Sequence, residues 1–507
     1  MELKKLQNGS DIRGVAVDGV EGESVTLTKE AVYALARGFV AYLRKKYGKE
    51  ELRIAIGHDS RISAKELKES IMQGLVDEGV QVCDCGLAST PSMFMSTVFE
   101  EFKEDGAIMI TASHLPYNRN GIEIFCIKNG GLNKEDIKSL ITFGEQESFI
   151  NKENGSVEIK DLLSVYSAFL RELIKKEVNH PNTYDKPLSG MKILVDAGNG
   201  AGGFYVDKVL QPLGADTSGS QFLEPDGMFP NHIPNPEDAK AMQSICDAVK
   251  TNHSDLGIIF DTDVDRSSAV DKYGHEISRN AIVALAAALV CEEHPGTTIA
   301  TDSVTSDELH DFLENVLQVK HLRFKRGYKN VINEAVRLNK EGIDSQLAIE
   351  TSGHAALKEN YFLDDGAYLA TKIVIKAAKM HLEGHSLDEL IKELKHPLEE
   401  KELRFKITCE DFGSYGDKVL EELKVYAEKH GEFMLAPVNH EGLRFSFDKE
   451  HGNGWCLLRK SLHDPILPCN IESNTENGCK EIAKHLYAFL KNYKELDLQA
   501  MEEFIKE

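Results

Sequence analysis

The chain has no apolar run long enough to span a bilayer. Its most apolar stretch, Ala281 to Cys291, is too short to do so and reads as a buried helix. The opening Met1-Glu2-Leu3-Lys4-Lys5-Leu6-Gln7-Asn8 has no apolar region of the kind a secretory signal needs, so no signal peptide is expected. Positive charge is in deficit, with 59 Lys and Arg against 83 Asp and Glu, a formal net charge of −24. Such a chain repels polyanions, which excludes nucleic acid and anionic membrane as main partners. No C-x-x-C pair occurs, and the nine cysteines are odd in number and scattered. That pattern points to reduced thiols rather than a disulfide framework or a zinc site. Low-complexity segments are also missing. A cytoplasmic protein is expected.

What is present is ordinary for a globular chain: 41% hydrophobic and 28% charged residues over 507 positions. At ~100–200 residues per domain this length implies three to five domains. Three segments open alike, with a short strand, a polar turn and a helical pattern. They are Arg53-Ile54-Ala55-Ile56-Gly57-His58-Asp59-Ser60-Arg61, Lys192 to Gly200, and Thr298 to Ser303. Strand, loop and helix in succession predict α/β domains with largely parallel sheets. Polar stretches at His180–Pro187, Glu293–Gly296 and His396–Lys401 mark the breaks. The expected division is 1–182, 188–295, 296–397 and 400–507. The last part has an α+β order: a strand over Leu403 to Cys409, a helix over Tyr415 to Lys429, strands near Leu443–Phe447 and Trp455–Leu458, and a helix from about Glu476 to Tyr493.

The acidic segment Asp261-Thr262-Asp263-Val264-Asp265-Arg266 carries the most chemistry. A buried strand, Asp255 to Phe260, runs straight into it. Three carboxylates at alternate positions repel unless a cation sits among them, and hard oxygen ligands suit Mg²⁺. The place is right as well, since open α/β sheets bind ligands beyond their strand ends. Arg266 adds a cation suited to phosphate. An EF-hand is excluded, because its sixth and twelfth positions would be Arg266 and Lys272. A strand followed by D-x-D-x-V also fits an aspartyl-phosphate phosphatase with Asp261 as nucleophile, and this alternative stays open.

Four other segments offer less on their own. Thr111-Ala112-Ser113-His114-Leu115-Pro116 follows an apolar strand but lacks the G-x-S-x-G of a serine hydrolase, so Ser113 reads as a turn serine or a nucleophile. Gly198-Asn199-Gly200-Ala201-Gly202-Gly203 matches G-x-G-x-x-G, with Glu224 about 20 residues beyond, yet a tight strand-to-helix turn accounts for it better than a dinucleotide site. Glu350-Thr351-Ser352-Gly353-His354 has the groups to grip sugar hydroxyls. Arg459-Lys460-Ser461 has the groups to hold a phosphate dianion. Arg323, Lys325, Arg326 and Lys329 form a basic cluster that is either a solvated face or an anion site.

Taken in order, the T-A-S-H-x-P loop, the D-x-D-x-D-R loop, the E-x-S-G-H loop and the R-x-S loop resemble the α-D-phosphohexomutase family, the phosphoglucomutases and phosphomannomutases. Gly9-Ser10-Asp11-Ile12-Arg13-Gly14 is similar to that family's opening segment. The resemblance covers essentially the whole chain. It implies three related α/β domains with mixed sheets and a smaller C-terminal α+β domain, arranged around a central cleft. It further implies interconversion of hexose 1-phosphate and hexose 6-phosphate through a phosphoserine at Ser113 and a hexose 1,6-bisphosphate. Mg²⁺ would be held by Ser113, Asp261, Asp263 and Asp265. Arg13, His114 and Arg266 would line the reacting phosphate. Glu350, Ser352 and His354 would face sugar hydroxyls, and Arg459 and Ser461 would hold the other phosphate. Lys329 would belong to the cleft.

The chain departs from the family pattern in three places. An N-G-x-K lysine usually follows ten residues after the serine, and here Glu123 stands there, so Glu123 or Lys329 takes the proton-transfer role, or activity is altered. Leu462, His463 and Asp464 replace the second half of the usual phosphate loop. Leu115 stands where asparagine is common. These departures keep a third reading open, a non-catalytic sugar-phosphate binding protein. The sequence does not choose among glucose, mannose and an amino sugar, and carries no sign of oligomeric state.

Overall fold

A computed structural model describes residues 2–126, 130–146, 149–461 and 464–507, so Leu462 and His463 lie outside the described residues. The chain packs into two compact units, one formed by 1–289 with 352–390 and the other by 290–351 with 391–507. No described helix is long and apolar enough to cross a membrane.

In the first unit, the larger sheet runs in the order Gln7–Asn8, Asp11–Val15, Arg119–Cys126, Gly106–Ile110, Arg53–His58, Gln81–Leu87, Ser156–Ile159. Helix Lys29–Tyr47 covers it. The Thr28 hydroxyl caps the start of this helix and left-handed Gly48 ends it. Val32, Leu35, Phe39, Val40 and Leu43 recur at helical spacing along its buried face and join one core with Ile54, Ile56, Ile108 and Ile124. The smaller sheet runs Glu276–Ile277, Ser267–Val270, Leu256–Phe260, Ile193–Asp196. Helix Ala239–Asn252 seals one of its faces through Met242, Ile245 and Val249.

The largely parallel sheets expected from strand–loop–helix succession are in fact mixed. Gly106–Ile110 is parallel to Arg53–His58 but turns straight back into antiparallel Arg119–Cys126. Leu256–Phe260 is parallel to Ile193–Asp196 and turns back into antiparallel Ser267–Val270. Both returns are too short to hold a helix, and a short return between adjacent strands forces the antiparallel sense. These two matching turns hold the serine loop and the acidic loop. The glycine-rich segment leads into a π-helical turn, Tyr205–Leu210. Tyr205 shares a hydrogen bond with Thr371 of helix Gly366–Leu382 (2.9 Å). The apolar run noted in the sequence forms helix Asn280–Cys291.

In the second unit, parallel strands Lys320–Arg323, Thr298–Thr301 and Leu347–Ile349 lie side by side in that order. An antiparallel sheet runs Met434–Leu435, Leu443–Phe447, Gly454–Leu458, Ile466–Ser473, Glu399–Ile407, Leu496–Asp497. Helices Phe412–Ala427 and Gly478–Leu490 pack on it around Phe405, Phe445, Leu467 and Leu486. The first of these helices starts earlier than periodicity predicts, because the Asp411 carboxylate caps the Ser414 N–H at 3.1 Å. Beyond the second lies a further helix, Gln499–Lys506, which the sequence pattern did not reveal.

Candidate active site

Ser113 sits just past the fully buried strand Gly106–Ile110, with left-handed backbone (φ 48°). Its N–H donates to Thr111 Oγ1 (2.9 Å), a local bond that supports this uncommon conformation. Its hydroxyl reaches Asp261 Oδ2 and His114 Nδ1, both at 3.2 Å. Asp261, Asp263 and Asp265 are all buried, and their carboxylate oxygens come within 4.8 Å of one another. Between them Val264 is also left-handed (φ 68°), a costly state for a β-branched residue.

Arg266 is the cation that joins the two loops. Its Nε and Nη2 donate to Asp261 Oδ2 (3.2 and 3.0 Å), and Nη2 also donates to Ser113 Oγ (2.9 Å) and His114 Nδ1 (2.8 Å). Nη1 donates to Asn235 Oδ1 (2.9 Å). Nδ1 of His114 is therefore the acceptor nitrogen. Part of the ring reaches solvent, but the surrounding protein and then the Arg266 cation hold the imidazole below its ordinary range.

The three carboxylates are not equivalent. Burial works against ionising Asp261, yet Arg266 holds its carboxyl below the usual range. Burial, and next the charge of Asp261, push Asp263 well up. Burial, Asp261 and Asp263 do the same to Asp265. Among the described residues, Asp263 Oδ1 and Asp265 Oδ1 are buried without a hydrogen-bond partner, although Arg266 Nε lies 3.8 Å from Asp265 Oδ1. Orphaned buried oxygens of this kind, on hard ligands, fit a Mg²⁺ ion. The Thr90 hydroxyl bonds Asp263 Oδ2, and the Thr90 N–H donates to Asp263 O (2.9 Å), so the start of helix Thr90–Met95 fixes the acidic loop.

Arg13 lies on strand Asp11–Val15, opposite Gly121. Its guanidinium donates to Thr111 O and to Glu123 Oε1, each at 2.5 Å, and to Asp11 Oδ2 at 3.3 Å. Gly121 leaves the room for this. A Cβ there would overlap Ile12 O and lie 2.6 Å from Arg13 Cδ and 2.9 Å from Thr111 O. His354 Nδ1 meets Asp364 Oδ2 at 2.5 Å and Asp265 Oδ2 at 3.8 Å. Among the described residues, the buried Ser352 hydroxyl has no hydrogen-bond partner.

The remaining predicted residues lie in the second unit. Glu350 follows strand Leu347–Ile349 and accepts the Gly327 N–H at 2.6 Å. Lys329 stands in the first turn of helix Tyr328–Lys340. Arg459 Nη1 lies 3.6 Å from Glu441 Oε1, and Glu441 Oε2 accepts the Ser303 hydroxyl (2.7 Å) and the Arg326 N–H (2.9 Å). Ser461 donates its N–H to Ile466 O (3.1 Å) and accepts the Asp464 N–H (3.2 Å).

The structure thus gathers Arg13, Ser113, His114, Glu123, Asp261, Asp263, Asp265, Arg266, Ser352 and His354 in one unit. Lys329, Glu350, Arg459 and Ser461 are in the other. Sequence reasoning passed over Thr90, Asn235, Asp364 and Glu441. Asn235 and Asp364 had a signal, lying in the turn-rich runs Pro234-Asn235-Pro236 and Asp364-Asp365-Gly366. Thr90 and Glu441 had none, since each acts across a long stretch of chain.

Residues 4–150, 167–274 and 278–397 match, in turn, α/β/α domains I, II and III described for phosphoglucomutase/phosphomannomutase. A phosphoglucomutase of Neisseria gonorrhoeae is 30% identical over 484 residues, which is 95% of this chain and 96% of that one. A phosphomannomutase/phosphoglucomutase of Pseudomonas syringae is 28% identical over 482 residues, covering 95% and 94%. The fold is shared with a solved phosphoglucomutase/phosphomannomutase family protein of Burkholderia thailandensis at TM-score 0.76, 24% identity and 96% coverage of both chains. Three consecutive domain matches and near-full-length identity agree with the order of the loops, and the chain belongs to the phosphoglucomutase/phosphomannomutase family.

Proposed function

We propose that the chain is a phosphotransferase mutase that interconverts hexose 1-phosphate and hexose 6-phosphate, with Ser113 as its phosphoryl carrier. The observation that carries this reading is the meeting of Ser113 Oγ with Arg266 and Asp261, at the mouth of a buried acidic triad. Asp261, Asp263, Asp265 and a phosphoserine oxygen would hold Mg²⁺, which would supply positive charge to the loose transition state of phosphoryl transfer. Arg266 and Arg13 add fixed cations beside the serine. His114, neutral and accepting at Nδ1, presents its other nitrogen for donation.

The phosphoryl group leaves Ser113 Oγ for a free hydroxyl of the bound hexose phosphate, giving hexose 1,6-bisphosphate. After that intermediate turns over, its other phosphate returns to Ser113. Glu350, Ser352 and His354 hold sugar hydroxyls. Arg459 and Ser461 hold the phosphate that is not reacting. The substrate is glucose phosphate, mannose phosphate or both. Either Glu123 or Lys329 serves as the proton-transfer group for the attacking hydroxyl. The same reading puts the phosphoserine loop in a domain spanning 1–182, the metal loop in 188–295, the sugar loop in 296–397 and the phosphate loop in 400–507.

The aspartyl-phosphate alternative has less support. Asp261 Oδ1 accepts the Arg266 backbone N–H, and Oδ2 accepts two guanidinium N–H groups and the serine hydroxyl, so both oxygens are engaged. The decisive test measures phosphate on Ser113 by mass spectrometry and glucose 1-phosphate conversion in Ser113→Ala. Phosphate on Ser113 and loss of conversion are expected. Undiminished activity in the variant would overturn the reading.

A further inference from the structure

Arg61 belongs to none of the loops that identify the family, yet it holds one of them from behind. Its side chain is fully buried beside the equally buried Asp59. Nη1 donates to Pro116 O (2.8 Å) and Arg119 O (2.9 Å), and Nη2 donates to Leu115 O (2.6 Å) and to Ser113 O. One guanidinium thus takes four carbonyls of the turn that carries Ser113, including that of Ser113 itself.

The clamp is itself braced. Asp59 Oδ2 lies 3.5 Å from Arg61 Nε and balances its charge, and Asp59 Oδ1 accepts the Arg61 N–H at 2.9 Å. The Phe229 ring covers the guanidinium, 5.4 Å from its centroid. Gly227 presses on the backbone of the same segment, where a Cβ would lie 2.5 Å from Ser60 O and 2.7 Å from Arg61 Cα.

This arrangement answers a specific need. Ser113 is left-handed, and a non-glycine residue stays in that region only when its surroundings over-determine it. The planar fork of arginine presents several donors in fixed directions, which a lysine ammonium cannot do. Among the described residues, every hydrogen bond of Nη1 and Nη2 goes to backbone carbonyls of this turn, so these donors hold its backbone.

We propose that Arg61 is the positioning residue of the phosphoryl-carrying loop, fixing where Ser113 Oγ stands relative to the acidic triad. The proposal rests on Ser113 being the carrier. It is tested with Arg61→Lys and Arg61→Gln in the full chain with Mg²⁺ present. The primary measurement is the single-turnover rate at which glucose 1,6-bisphosphate phosphorylates Ser113 of the dephosphorylated enzyme. KM for glucose 1-phosphate and amide hydrogen exchange over 113–119 are measured alongside.

A displacement of about 1 Å at the nucleophile costs roughly 100-fold in rate, and that loss is expected in both variants. KM should move by less than about threefold, because the residues that hold the sugar phosphate are untouched. Amides 113–119 should exchange faster while the rest of the sheet keeps its protection. Arg61→Lys keeps the charge and most of the volume, so it supplies the result should Arg61→Gln fail to fold. A folded variant that phosphorylates within about twofold of the unaltered rate overturns the proposal, as does a loss confined to KM. Absence of phosphate on Ser113 in the unaltered enzyme overturns the carrier reading instead. In that case unchanged exchange over 113–119 in the variants overturns the clamp, and faster exchange sustains it.

Discussion

The two groups of predicted residues are built in different ways. In the first unit, Ser113, the acidic triad and Arg266 are tied by short bonds to Thr90, Asn235 and one another, and two residues of these loops, Ser113 and Val264, hold left-handed backbone. In the second unit, Arg459 and Ser461 are half-buried, and Arg459 meets its acid only at 3.6 Å. The first set is preorganised, as the centre of developing charge would have to be on the proposed function. Arg459 is more loosely paired, which on the proposed function suits a group that would grip a phosphate in two substrate orientations. On the proposed function, the contrast separates making the transition state from holding the substrate, and the two should fail differently when altered.

Asp261→Ala tests the rigid set most severely. It removes a proposed metal ligand and the partner of a buried arginine, so kcat should fall by about 10³-fold or more, with Mg²⁺ dependence lost. Steady-state kinetics across a Mg²⁺ titration measure both. Next comes Glu123. If it takes the substrate proton, Glu123→Gln lowers kcat by ~10²-fold or more, whereas Lys329→Ala then acts mainly on KM. The reverse pattern would move part of the chemistry into the looser set and break the comparison.

Arg459→Ala should raise KM by roughly 10–100-fold, the worth of a charge-assisted phosphate contact, and should change kcat less. Thr90→Val tests whether outer support matters in the rigid set, and should weaken Mg²⁺ binding about tenfold by calorimetry. The smallest effect is on stability. Glu472 is a buried acid of the second unit whose carboxyl is pushed up to about 8 by burial and then by Glu308. A carboxyl raised on folding favours the folded state least when ionised. Stability should therefore fall as pH rises from about 5 towards 8, by a few degrees in unfolding midpoint. Glu472→Gln should flatten that slope in a thermal scan.

The order of loops in the sequence was enough to identify the family, and the strand-to-loop transitions at Ile110–Thr111 and Phe260–Asp261 were legible because buried apolar runs end abruptly in polar residues. The antiparallel returns were harder to read. Arg119–Cys126 and Ser267–Val270 are strands whose pairing sense depends on the short turns before them, and periodicity does not report sense. The residues that fix the site were least legible. Thr90 reaches Asp263 and Glu441 reaches Ser303 across more than a hundred positions each, and spacing along a chain carries no trace of such contacts. Arg61 was visible only as the end of a strand opening, although it supports the neighbouring turn.

Gly121 shows how far function here depends on space that nothing fills. It has no functional group and stands in no loop, yet a single methyl at its Cα would meet the strand that bears Arg13, the stem of that arginine and the carbonyl of Thr111. Chance substitution at this position would therefore read, in a screen for lost activity, as a lesion of catalysis. The inventory of intolerant positions in this protein should accordingly include a residue with no side chain, whose contribution is vacancy.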